Sequence, residues 1–260
     1  MTALAATTPR HRSPSVTAGT VALVGGYEHL PGSEAIDRRL LAEAGTRRPH
    51  VVVLLAAAPV RRRACKTREA QHYWQQFGAK LHVGCTGTPG DTTATVRAIE
   101  RADLTVLVGG RPWLLHRRLD GSAMLGTLMQ RWHAGMPVAG SSSGAMAMCQ
   151  WRLRPTTGAA RHVRPGFGMV PGLVVPHHGR HGTTRLAARL AASYPDLPVL
   201  AVADQTALVG RGDRCSVVGR GSATVRHGHR AAQLGPGGSV DLHKLTAACW
   251  PHVCVPVHRG

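Results

Sequence analysis

Three consecutive serines, Ser141, Ser142 and Ser143, stand between Gly140 and Gly144, and a serine hydroxyl held in a tight turn is a candidate nucleophile. Only Ser142 has glycine at both −2 and +2. That spacing matters sterically. A serine at the point of a sharp strand-to-helix turn has a strained backbone, and small neighbours two residues away avoid clashes. The context fits, because residues 137–139 read as the end of an apolar strand and residues 145–148 as the start of a helix. The first amides of that helix would face the reaction centre, so the Ser143 N–H is the natural first donor to an oxyanion.

Such a serine needs a base. The chain has sixteen histidines, so residue type alone cannot choose among them. His177 and His178 stand out because they follow the apolar run 173–175, where the carboxyl end of a strand would place them beside the serine turn. A zinc site of His177, His178 and His181 is the competing reading, but adjacent residues on a strand point apart. Cys249, His252, Cys254 and His258 also resemble metal ligands, in a loop too tight and proline-broken for a standard site. No metal and no cofactor is expected.

The elements that would carry these residues alternate along the chain. Short apolar runs at 21–24, 51–57, 81–84, 104–108 and 137–139 read as strands, the first and fourth ending in Gly25-Gly26 and Gly109-Gly110. Helical patterns lie between them at 33–44, 67–77, 91–102 and 122–134. Ser33 and Asp91 are placed to cap two of these helices, and Gly45, Gly78 and Gly135 to stop three of them. Alternation of this kind gives right-handed βαβ units and a parallel sheet, with sites in the loops at the carboxyl ends of the strands. After residues 173–175 and a helix at 183–193, short strands at 199–203, 206–209, 215–218 and 223–226 suggest an antiparallel extension. The expected fold class is therefore α/β: a doubly wound, mainly parallel sheet with a small antiparallel C-terminal extension. One domain spans 20–246, between a Thr/Ser/Ala-rich basic tail at 1–19 and a tail at 247–260.

Composition bounds the function. With 43% apolar and 17% charged residues, the chain is globular rather than disordered. It carries 32 basic against 13 acidic side chains, a net charge of +19. Such an excess suits an anionic surface or nucleic acid, but the basic residues are scattered apart from Arg61-Arg62-Arg63, and no nucleic-acid-binding motif accompanies them. Arginine-rich coding bias accounts for the excess as well, so nucleic acid is disfavoured as partner. Six mostly separated cysteines form no disulfide framework, which implies reduced thiols and a cytoplasmic location. Neither a secretory leader nor a membrane span is expected.

The motifs taken together resemble the cyanophycinase and aspartyl dipeptidase (peptidase E) family of serine peptidases, within the class I glutamine amidotransferase-like superfamily and its flavodoxin-like fold. The resemblance runs from about residue 20 to 245. It rests on Val24-Gly25-Gly26, Val108-Gly109-Gly110, Ala139-Gly140-Ser141-Ser142-Ser143-Gly144-Ala145, the stretch 166–172, Val174-Val175-Pro176-His177-His178 and Asp204-Gln205-Thr206-Ala207-Leu208, in order and at family-like spacing. It implies Ser142 as nucleophile, His178 as general base and acid, and the amides of Gly110 and Ser143 as oxyanion hole. The implied reaction is attack on an amide carbonyl and release of an acyl-enzyme by water, with a small peptide or amide as substrate. Serine at the elbow, where the amidotransferases carry cysteine, implies plain hydrolysis.

Two departures from the family pattern bear on this expectation. Arg111-Pro112 follow the second glycine pair where the family has small polar residues, making Arg111 and His177 candidates for binding a carboxylate-bearing substrate. The family's triad acid lies between nucleophile and histidine, and this chain has no Asp or Glu between Asp120 and Asp196. Gln150, Thr157 or the distant Asp204 would then have to orient His178. The missing acid also motivates a catalytically impaired relative that binds a small ligand in the same cleft. A homodimer is permitted by the apolar helices.

Overall fold

Strand β1, Val21–Val24, sends alternate side chains to opposite faces of a sheet, and both sets are buried. Val21 and Leu23 join one apolar cluster, Ala22 and Val24 the other. Strand β2, His50–Leu54, does the same with Val52 and Leu54 against Val51 and Val53. This is why these strands read as continuous apolar runs: neither face meets water.

The computed structural model describes residues 18–85, 89–154, 162–180 and 182–242. The expectations for most of the N-terminal tail, for Thr157, for His181 and for the C-terminal cysteines and histidines lie outside them. After β2 come helix α2 (Val60–Gln75), β3 (Lys80–Gly84), α3 (Pro89–Glu100), β4 (Leu104–Leu107), α4 (Pro112–Leu119), α5 (Ala123–His133), β5 (Val138–Ser141) and α6 (Ser143–Met148), with α1 (Glu34–Leu41) preceding β2. Hairpin strands β6 (Trp151–Arg154) and β7 (His162–Pro165) follow, then β8 (Leu173–His178), α7 (Thr183–Ser193) and β9 (Val199–Ala203). The last strands are β10 (Thr206–Arg211), β11 (Arg214–Gly219), β12 (Ala223–His227), β13 (Arg230–Leu234) and β14 (Ser239–Asp241).

The main sheet has the order β14-β11-β10-β1-β5-β4-β2-β3. Strands β1 to β5 run parallel, and β10, β11 and β14 extend the sheet antiparallel beyond β1. Helices α1 and α2 cover one face through Ile36, Leu40, Tyr73 and Trp74. Helices α3 to α6 cover the other through Ile99, Leu115, Leu128, Trp132 and Met148. The doubly wound sheet and the antiparallel extension are as the sequence implied.

The extension, however, is not one unit. Strand β9 pairs parallel with β8 and antiparallel with β12, in a separate four-stranded sheet β13-β12-β9-β8. Its Leu200, Val202 and Val225 join the core shared with the main sheet, and its Leu173, Val175 and Ala201 pack on Leu190 of α7. Helix α2 begins at Val60, seven residues before the expected start, because Pro59 opens it and a first turn rich in arginine hides its period. Helix α4 was not expected; it starts on Pro112 at the first helical position, a favourable place for proline. Ser33 does precede α1, but its hydroxyl donates to the Tyr27 carbonyl and caps nothing.

Candidate active site

Ser142 occupies the turn between β5 and α6 with φ 50° and ψ −110°, a conformation that costs a non-glycine residue about 1–3 kcal/mol. The flanking glycines make it attainable. A Cβ on Gly144 would lie 2.2 Å from the Leu107 carbonyl oxygen, and one on Gly140 would lie 2.6 Å from the Gly144 carbonyl carbon. The Ser142 N–H donates to the Val24 carbonyl at 2.9 Å, which ties the turn to the end of β1.

Ser142 Oγ lies 2.9 Å from Nε2 of His177. The expectation that His178 would reach the serine is corrected here. Strand β8 departs from regular register between Val175 and His178, and His177 takes φ 57°. That left-handed residue turns its imidazole toward β5, while its N–H donates to the Gly25 carbonyl at 3.0 Å. His178 resumes pairing with Ala203 and points the other way, its Nε2 3.1 Å from Thr224 Oγ1 on β12. Burial and the nearby Arg226 guanidinium hold the His178 imidazole below its ordinary basicity. Adjacent side chains point apart, as expected, and the one that faces Ser142 is His177, not His178.

The second nitrogen of His177 has an acid. Nδ1 lies 2.6 Å from Asp204 Oδ1, and Asp204 Oδ2 accepts from Arg180 Nε at 2.7 Å. Residues 143–176 do lack an acid, but the carboxylate that meets His177 comes later, from the turn joining β9 to β10. Gln205 in that turn has φ 53°, and its N–H donates to the Gly26 carbonyl. Gln150 is not part of this arrangement: it lies beyond α6, where its N–H and carbonyl bond Val170 and Gly166. Arg180 also donates to the Tyr27 hydroxyl and stands over the Tyr27 ring, 4.8 Å from its centroid. Gly26 explains why the glycine pair closes β1: a Cβ there would lie 2.3 Å from His177 Cε1 and 2.7 Å from Asp204 Oδ1.

The Gly109-Gly110 turn after β4 forms the facing wall. A Cβ on Gly109 would sit 3.1 Å from Ser142 Cβ, and one on Gly110, whose φ is 154°, would sit 2.5 Å from the Ala57 carbonyl oxygen. The N–H of Arg111 donates to that carbonyl, and its side chain is exposed at the start of α4. Sequence reasoning missed Glu28, whose carboxylate accepts from Ser141 Oγ at 2.6 Å and from the Gly109 N–H at 3.1 Å. No pattern marked it, since it lies in an irregular loop.

The model of peptidase family S51 matches residues 21–218. The chain belongs to peptidase family S51. This is the family of cyanophycinase and peptidase E, and membership supports a peptidase activity. A peptidase from an acI-B1 Actinobacterium is 21% identical and superposes with a TM-score of 0.73, covering 86% of this chain and 97% of its own. A protein assigned as a peptidase E from Listeria monocytogenes EGD-e is 13% identical, with a TM-score of 0.57, over 77% of this chain and 98% of its own. At these identities the likeness is one of fold. A comparison with curated proteins gave no match. Among the described residues no group of three or more His, Cys, Asp or Glu is placed to hold a metal ion. The cysteines at 65, 85, 149 and 215 are unbridged. None of the described helices is long and apolar enough to cross a membrane.

Proposed function

We propose that the chain is a serine peptidase or amidase acting on a small peptide or amide, with Ser142 as nucleophile, His177 as general base and acid, and Asp204 as the orienting acid. The observation that carries this is the unbroken hydrogen-bonded series Ser142 Oγ, His177 Nε2, His177 Nδ1, Asp204 Oδ1, at 2.9 and 2.6 Å. Asp204 accepts a hydrogen bond from the Nδ1–H, which keeps that proton on Nδ1 and leaves the Nε2 lone pair facing the serine hydroxyl, the tautomer a base requires. His177 takes the Ser142 proton as Oγ attacks the carbonyl carbon. The resulting oxyanion faces the Gly110 and Ser143 amides, and His177 then protonates the departing amine. Water, activated by the same imidazole, releases the acyl group and restores the serine. No acid lies between Asp120 and Asp196, but the Asp204 carboxylate on His177 Nδ1 favours a competent enzyme over an impaired relative. Arg111 beside the glycine turn supports a carboxylate-bearing substrate.

The test is active-site labelling with a fluorophosphonate probe. Wild type and His178→Ala are expected to label, whereas Ser142→Ala and His177→Ala are not. Labelling that survives Ser142→Ala, or that His178→Ala abolishes while His177→Ala leaves it intact, would refute this assignment.

A further inference from the structure

Glu28 has no part in the proton-transfer series, yet it is built into the site. It lies between Tyr27, with φ 64°, and His29, with φ 60°, two left-handed residues that are not glycine. Strain of this kind persists where the surroundings over-determine it and clusters at functional sites. The fold supplies those surroundings. His29 is buried and its Nε2 accepts from the indole of Trp74 at 3.0 Å, while the Tyr27 carbonyl accepts from the Ser33 hydroxyl at 2.9 Å. The Glu28 side chain is thereby directed inward, and it is only 12% exposed.

There it joins two segments that have no covalent connection nearby. One oxygen accepts from the hydroxyl of Ser141, the residue before the nucleophile, and the other from the amide of Gly109, the residue before Gly110. Lys66 Nζ stands 4.0 Å from one of these oxygens and ion-pairs with Glu69 at 2.8 Å, which partly offsets a carboxylate placed near a developing negative charge. We propose that Glu28 is a positioning residue: by bridging Ser141 and Gly109 it fixes the separation of the nucleophile turn from the Gly109-Gly110 turn, and so the spacing of the two amides that would receive the oxyanion. This rests on the reading of Ser142 as nucleophile. Its consequence is specific to chemistry, because a misplacement of about 1 Å between reacting groups can cost on the order of 100-fold in rate.

Glutamine is the informative substitution. In E28Q the amide oxygen can accept from Gly109 N–H while the amide nitrogen donates to the Ser141 hydroxyl, which accepts as readily as it donates. Both bridges survive and only the charge is lost. The experiment measures fluorophosphonate acylation of the full chain, separating probe affinity from the limiting acylation rate, alongside thermal melting and Gly109 amide exchange. E28A is expected to lower the limiting rate about 100-fold with little change in probe affinity, and E28Q to recover to within several-fold. Ser141→Ala, which removes one bridge and tests the same point should E28A fail to fold, is expected to lower the rate about tenfold. The double variant E28A/S141A should be no slower than E28A, since both act through one bridge.

An E28A rate equal to that of wild type, losses in the double variant that multiply, or an E28Q as slow as E28A would overturn the proposal. So would loss of one limb of the pH–rate profile in E28Q, because a bridging group carries no proton of the reaction. If wild type itself failed to label, the hydrolase reading would fall instead. Glu28 would then be judged by Gly109 exchange: protection lost in E28A and restored in E28Q supports the bridge, and protection unchanged in E28A removes it.

Discussion

Replacing Asp204 by asparagine probes how the base is held, and the neighbouring arginine dictates the outcome. In the native site one carboxylate oxygen accepts from His177 Nδ1 and the other from Arg180 Nε. Asparagine offers one acceptor and one donor arm. Arg180 is a donor under all conditions, so the asparagine oxygen turns to it and the NH2 faces His177. His177 Nδ1 must then accept, which moves its proton to Nε2 and presents Ser142 with a donor instead of a base. The wrong tautomer in a serine triad costs about 10,000-fold in turnover, or roughly 5 kcal/mol of transition-state stabilisation. The assay is the second-order rate of fluorophosphonate acylation. D204N should fall by about that factor with its melting temperature nearly kept. In R180A/D204N the asparagine is free to flip and accept from Nδ1, so the double variant should be about tenfold or more faster than D204N. A D204N rate near that of wild type, or a double variant slower than D204N, would refute the reasoning.

Three further outcomes follow from the structure. Gly26→Ala places a methyl 2.3 Å from the His177 ring and should reduce acylation by more than about 100-fold, out of proportion to its effect on melting temperature. Gly144→Ala drives a methyl to 2.2 Å from the Leu107 carbonyl inside the buried elbow and should destabilise the fold itself, by several kcal/mol in denaturant titration. The third concerns pH. Burial raises the Asp37 carboxyl to about 7 and lowers the His29 imidazole to about 4. A raised carboxyl contributes stability below about pH 4 that is lost as pH climbs to about 7, whereas a depressed imidazole contributes stability above about pH 6.5 that is lost as pH falls toward about 4. Each effect is on the order of 3–4 kcal/mol and they oppose across the same window, so in wild type the Asp37 contribution offsets that of His29 between about pH 4 and 6.5. Asp37→Asn removes one of them and should expose a steep acid loss. Melting curves of the two proteins that stay parallel with pH would refute this.

Much of the main sheet was legible because its strands are buried on both faces, so 21–24, 51–57 and 104–108 stand out as unbroken apolar runs. The start of helix α2 and the whole of α4 are hard to read because arginines in both obscure the 3.6-residue period. The serine turn was legible through its glycines, since their need is local and steric. The choice between His177 and His178 was not, because it depends on one left-handed φ and a register shift, and neighbouring histidines carry no mark of either. Asp204 was visible only as a remote acid; that it closes on His177 follows from the parallel pairing of β8 and β9, which brings the ends of both strands together. Glu28 and Arg180 act through tertiary contacts alone, and nothing in their spacing announces them.

The Gly25-Gly26 end of β1 has a mechanical role in this arrangement. Three consecutive carbonyls, those of Val24, Gly25 and Gly26, receive the amides of Ser142, His177 and Gln205 in turn. Ser142 rides on the large sheet and the His177 imidazole on the small one, so their separation is a gauge of how the two sheets sit against each other. A change in the packing between those sheets, even one remote from any reacting atom, would be read out as a changed gap between oxygen and nitrogen. One glycine-closed strand end is the common datum from which the three loops take their heights.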